Sequence, residues 1–154
     1  MKRGLMLCAI QVLLALSVGG KFLYDRLTLP RAWARTAPVD PSAPIRGRYV
    51  RISVEVEPGE PLPIDSAYVA LSVSAGRLVA APASEGLRVI HGRDDRWVLA
   101  EPLAFFIPEK VADPSVRTQG EELWVEVSVP EKGPPRPLRL GVKRGGTLAP
   151  LDLK

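Results

Sequence analysis

The sequence predicts an all-β body, a small antiparallel sandwich or partly open barrel, carried by one N-terminal transmembrane helix. Three observations predict it: an uncharged apolar run at the start, period-two alternation in most segments after residue 48, and turn residues at short intervals between them. The 154 residues divide accordingly into an N-terminal membrane anchor or signal peptide (1–24), a proline-rich stalk (25–45) and a β-rich domain (46–154). A body of that size folds around one core without covalent staples. Cys8 is the single cysteine and lies in the apolar run, so the body has neither a disulfide framework nor a thiolate nucleophile.

The first element follows Lys2 and Arg3: residues 4–20 hold no charge and one polar amide, Gln11. As a helix this run is about 26 Å long, and adding residues 21–24 brings it to about 31 Å, the thickness of a bilayer core. Lys21 can snorkel, and Phe22 and Tyr24 suit the interface. A cleaved secretory signal shares the basic start, the apolar stretch and the small residues Ser17, Gly19 and Gly20. The length of the run and its amphipathic continuation favour a retained anchor. Counted literally, the four Lys and Arg soon after the run outweigh the two before it and hold the body in the cytoplasm. The signal-like start favours the opposite, a single-pass protein of the bacterial inner membrane with a periplasmic body.

From Leu27 to Ile45, Pro30, Pro38, Pro41 and Pro44 interrupt any regular ladder and favour extended backbone, so this stretch reads as a semi-rigid stalk. Trp33, between Arg31 and Arg35, suits either the headgroup layer or a contact with the body. Beyond it, residues 49–56 alternate Val50, Ile52, Val54 and Val56 with Tyr49, Arg51, Ser53 and Glu55, a half-buried strand. Further strands are predicted at 67–73, 77–80, 87–90, 96–100, 103–107, 123–129, 138–142 and 147–153. Ser74-Ala75-Gly76, the segment 91–95 and Lys143-Arg144-Gly145-Gly146 carry hairpin chemistry. Helix is confined to a turn or two within 109–117, where Pro114 limits it.

The opening of the body, Pro44-Ile45-Arg46-Gly47-Arg48-Tyr49-Val50-Arg51-Ile52-Ser53-Val54, resembles the motif of the bacterial GDYXXLXY-domain family. Gly47 and Tyr49 fall on the motif's first Gly and Tyr; Arg48 stands at its Asp, Ile52 at its Leu and Val54 at its final Tyr. The hairpin of residues 67–80 and the run Phe105-Phe106-Ile107-Pro108-Glu109 before a terminal hairpin are similar in kind. The resemblance implies an N-terminal hydrophobic segment, a short stalk and a β-rich, membrane-associated body, and it implies no enzymatic role.

Charge argues against a nucleic-acid partner. The pI near 9.5 arises in residues 1–35, which carry a net +5, whereas the rest is near −1 with interspersed signs. A Ser-His-Asp site would need His91, the sole histidine, beside Asp94 or Asp95, and these fit a turn better. One His with two Asp lacks the ligand count of a zinc site, so neither metal nor cofactor is expected. A Ser-Lys pair would need Lys110, Lys132 or Lys143 desolvated, and all lie in polar, turn-like surroundings. Pro134-Pro135-Arg136-Pro137 reads as a rigid loop rather than a polyproline ligand. Phe105 and Phe106 are consecutive in a strand, so one of them faces outward.

The expectation is therefore a non-catalytic, extracytoplasmic accessory or interaction module that binds another membrane or envelope protein. Tyr49, Arg51, Phe105, Phe106 and Glu109 are its candidate partner-binding residues. The alternatives are an envelope enzyme resembling Ser-Lys peptidases and a β-barrel for a small ligand.

Overall fold

A computed structural model describes residues 2–37, 49–63, 66–92, 95–108, 111, 114 and 118–153. Helix α1 (Lys2–Thr28) runs four residues beyond the expected anchor. Its last turns close normally, with Leu29 N–H donating to the Asp25 carbonyl at 2.9 Å and Thr28 Oγ1 to that of Tyr24 at 2.8 Å. Pro30 then ends it, because a residue before proline is driven out of the helical region. From Gly4 to Thr28 the helix is long and apolar enough to cross a membrane, and none of that apolar span is buried in the body.

The chain enters the sheet directly after Pro30. β1 (Arg31–Ala37) is followed by β2 (Tyr49–Pro58), β3 (Ser66–Ser74), β4 (Arg77–Pro82), β5 (Leu87–His91), β6 (Trp97–Leu99), β7 (Leu103–Phe106), β8 (Glu121–Ser128), β9 (Arg136–Arg144) and β10 (Thr147–Pro150). Their order is β10-β9-β8-β1-β4-β3-β5-β6-β2-β7, and a β1–β2 pairing at Thr36↔Val54 and Ala37↔Ser53 closes β1, β4, β3, β5, β6 and β2 into a six-stranded barrel. The remaining four strands extend from it, β8 to β10 beside β1 and β7 beside β2. Most pairs are antiparallel, but β4 meets both β1 and β2 in parallel register. These three strands meet at a corner, where β1 passes from β4 at Trp33 to β2 at Thr36.

Turn chemistry fixes the hairpins. Ala75 and Gly76 both adopt positive φ (49° and 75°), as do Gly145 and Gly146 (52° and 87°), the two-residue arrangement whose twist matches the flanking strands. Pro137 enters β9 where the β8–β9 register shifts, the irregularity that lets proline into a ladder. The inner face of β2 is Val50, Ile52, Val54 and Val56, all at most 4% exposed. Burial of aliphatic side chains of this size contributes roughly 1.5–3 kcal/mol each. Val125, Val127 and Leu140 complete the core from β8 and β9.

Two expectations change. The stalk is not a stalk over 31–37, which is β1, paired with β8 from Arg31↔Ser128 to Arg35↔Trp124. Its inward residues are Ala32 and Ala34, small side chains buried to 1% and 4% exposure where a barrel corner leaves little room. The last strand also stops at Pro150 rather than 153. Residues 38–48, with the Gly47-Arg48 part of the motif, and most of the short helix expected in 109–117 lie outside the described residues.

Candidate functional site

Two surfaces gather side chains with chemical character. The first is where β1, β2 and β4 meet. Outward positions alternate with the core there, so Trp33 and Arg35 of β1 emerge beside Glu55 and Glu57 of β2, Arg77 of β4, and Glu122 and Trp124 of β8. They line a groove of about 550 Å³, which the β5–β6 turn closes with His91, Arg96 and Trp97. All three tryptophans of the chain are in its wall.

Ion pairs fill this groove. Arg35 Nη2 is 3.1 Å from Glu122 Oε1, Arg77 Nη1 2.8 Å from Glu57 Oε1 and Arg96 Nη1 3.0 Å from Glu55 Oε2. Trp124 Nε1–H donates to Glu122 at 3.1 Å, and the Lys143 ammonium lies 5.1 Å from the centre of the Trp124 ring. Beside the groove, Arg139 lies 5.5 Å from the Trp33 ring centre and bonds Glu126, whose side chain is nearly buried, at 2.6 Å. Trp33 thus packs on the body, the second of the two placements its sequence allowed. His91 meets the Trp97 ring edge-on at 5.1 Å and Asp95 at 3.1 Å. Among the described residues, the lining includes no hydroxyl or thiol side chain and there is no group of three or more metal-ligating residues. What the groove offers is aromatic edges and mutually neutralising charges.

The second surface is the end of the sheet. β2 and β7 pair from Tyr49↔Phe106 to Ile52↔Leu103, and β7 is the terminal strand. Tyr49 and Phe106 stand 58% and 49% exposed, their rings edge-to-face with centroids 5.6 Å apart. Arg51 is exposed on the same stripe. Phe106 is therefore the outward aromatic, and Phe105 turns inward against the core. Of the five candidate residues, Tyr49, Arg51 and Phe106 share one surface, Phe105 is on the opposite face, and Glu109 is outside the described residues. The tryptophan groove was not anticipated. Its only trace in the sequence is that Trp33 and Trp124 occupy period-two positions in phase with charged neighbours.

A six-stranded barrel extended by four further strands, joined through two residues to a helix long enough to span a bilayer, defines a class of β-barrel proteins carried on a single N-terminal apolar helix. The family described as GDYXXLXY protein matches residues 11–140, and the chain belongs to it. The match begins inside α1 and ends in β9, so helix and barrel are one family unit. Comparison with curated proteins and with solved structures gave no match.

Proposed function

We propose that this protein is a non-catalytic accessory module, held in the inner membrane by α1 with its body on the periplasmic side, and that it binds another envelope protein through the β2–β7 surface. The observation that carries the reading is the exposed Tyr49–Phe106 pair on a terminal strand. Aromatic side chains are enriched at protein interfaces, and a terminal strand offers backbone groups to which a partner strand can add. The groove is less suited to catalysis than to surface recognition, because its cations are engaged with carboxylates or rings and its one imidazole has no nucleophile beside it on the lining.

One full-length fusion tests both halves: alkaline phosphatase after residue 154 reports the side of the body, and a photo-crosslinking residue replaces Phe106 in the living cell. The expected result is an active phosphatase and a discrete adduct with one membrane-associated protein, lost when Tyr49 is changed to Ala. An inactive phosphatase sinks the placement, and a crosslinker at 106 that captures nothing sinks the docking surface.

A further inference from the structure

A pocket between the β4–β5 turn, the β6–β7 loop and Pro134 differs in chemistry from both surfaces above. It has a volume of about 530 Å³ and is lined chiefly by Leu87, Leu99, Pro102, Leu103 and Pro134, with Tyr68, Arg88 and Glu101 on its wall. That volume lies within the range of small-molecule sites, about 300–1,000 Å³. Tyr68 and Arg88 are cross-strand partners on β3 and β5, and both also wall a second hollow of about 240 Å³. The Tyr68–Arg88 pair thus belongs to both hollows.

Arg88 is one of three arginines of the barrel, with Arg31 and Arg51, that have no carboxylate partner among the described residues, and of these it is the one that walls a hollow. Arg35, Arg77, Arg96, Arg136, Arg139 and Arg144 each lie within 3.1 Å of a carboxylate oxygen. Arg88 makes no such pair among the described residues, and Glu101 across the pocket does not engage it. An available guanidinium is a strong receptor for phosphate oxygens.

One wall of the pocket, Pro134, also lies close to the helix exit. The loop that carries Pro134 is tied to the helix exit at both ends. Val129 N–H donates to the Pro30 carbonyl at 3.0 Å, and Arg136 Nη1 bonds Asp25 Oδ2 at 2.9 Å while its guanidinium sits 5.2 Å from the centre of the Phe22 ring. Pro134 is two residues from Arg136, a chain distance of at most about 7 Å. Phe22 belongs to the interfacial end of the span, where aromatic residues meet the headgroups.

We infer that this pocket binds one anionic phospholipid of the surrounding bilayer, with acyl chains in the two hollows and the phosphate on Arg88. Two hollows that share Arg88 suit a two-chain lipid rather than a free fatty acid. The inference rests on α1 being membrane-embedded, as proposed above, and adds a lipid site to the barrel itself.

The test uses the full-length protein in phosphatidylcholine nanodiscs that contain a minor fraction of phosphatidylglycerol bearing an acyl-chain diazirine. Parallel discs carry the same diazirine on phosphatidylcholine or on a free fatty acid. After irradiation, peptide mapping is expected to find the phosphatidylglycerol label on residues 66–69 and 99–104. Arg88→Gln should lower that label about five-fold, the effect of one basic residue on anionic-lipid affinity, while Arg88→Lys retains most of it and the label on residues 4–24 is unchanged in both. Equal body labelling by the two phospholipids, labelling by the fatty acid alone, or indifference to Arg88→Gln overturns the site. A labelled helix with an unlabelled body overturns the site and leaves the anchor standing. An unlabelled helix overturns the anchor and the site with it.

Discussion

Trp33 illustrates how single residues set the outer surface of this barrel. Its indole lies flat enough on β9 that a Cβ added to Gly141 would approach Trp33 Cζ3 to 2.7 Å and Cη2 to 2.9 Å, with the Ala149 carbonyl 3.1 Å away. The ring cannot retreat freely, because Arg139 lies over it and is held by Glu126. Gly141→Ala is therefore expected to destabilise the folded body by about 1–3 kcal/mol, the usual cost of overpacking a filled site. Thermal unfolding followed by tryptophan fluorescence checks this, and a midpoint equal to wild type would mean that Trp33 is free to move. At this scale the sequence is partly legible. The alternation around Tyr49 and the consecutive pair Phe105-Phe106 set which aromatic side chains share a face, and the structure resolves the pair in favour of an outward Phe106. The meeting of Trp33, Trp97 and Trp124 was not legible, since β1 and β8 pair across a long stretch of chain and β6 is brought near them only through β2 when the barrel closes.

Among the elements, β1 is the one that composition conceals. Prolines at 30 and 38 bracket it, and its inward side chains are alanines, which neither signal strand nor mark a core. Yet it bridges β8 on one side and β4 and β2 on the other, so the six-stranded closure does not exist without it. The nine strands from β2 to β10 were legible because short apolar or alternating runs are separated by turn residues, most plainly in β2, β3 and β8 and at the glycine hairpins after β3 and β9. From this position a chain beginning at Leu29 should unfold in one cooperative transition, whereas one beginning at Arg46 should show no cooperative melt. Its loss would strip cover from Val54 and Val125 and leave β8 without its inner neighbour. Circular dichroism of the two fragments decides it. A cooperative melt of the shorter fragment would return 31–37 to the role of a linker.

For the whole molecule, the decisive feature is how short the connection between α1 and the barrel is. Only Leu29 and Pro30 separate α1 from β1, a span of at most about 7 Å. The Asp25–Arg136 pair reinforces the junction, but with Arg136 substantially exposed it is worth no more than about 1 kcal/mol, so the short link rather than the ion pair governs the geometry. With α1 in a bilayer, as proposed, so short a link would seat the barrel at the headgroups with a fixed face toward them, where a stalk would let it tumble. Lys132, in the loop tied to the helix exit, should lie near the bilayer. Gln119 precedes β8, which runs from Ser128 beside that exit to Glu121, about 24 Å along the strand. With Cys8→Ser removing the native thiol, a fluorophore on Lys132→Cys should be strongly quenched by headgroup spin-labelled lipids, and one on Gln119→Cys only weakly. Equal, weak quenching at both positions would mean that the barrel swings free of the membrane. That outcome would also remove the lipid pocket from reach of the bilayer, whereas a contrast between the two sites keeps Pro134 and Arg88 at the surface where an anionic lipid can reach them.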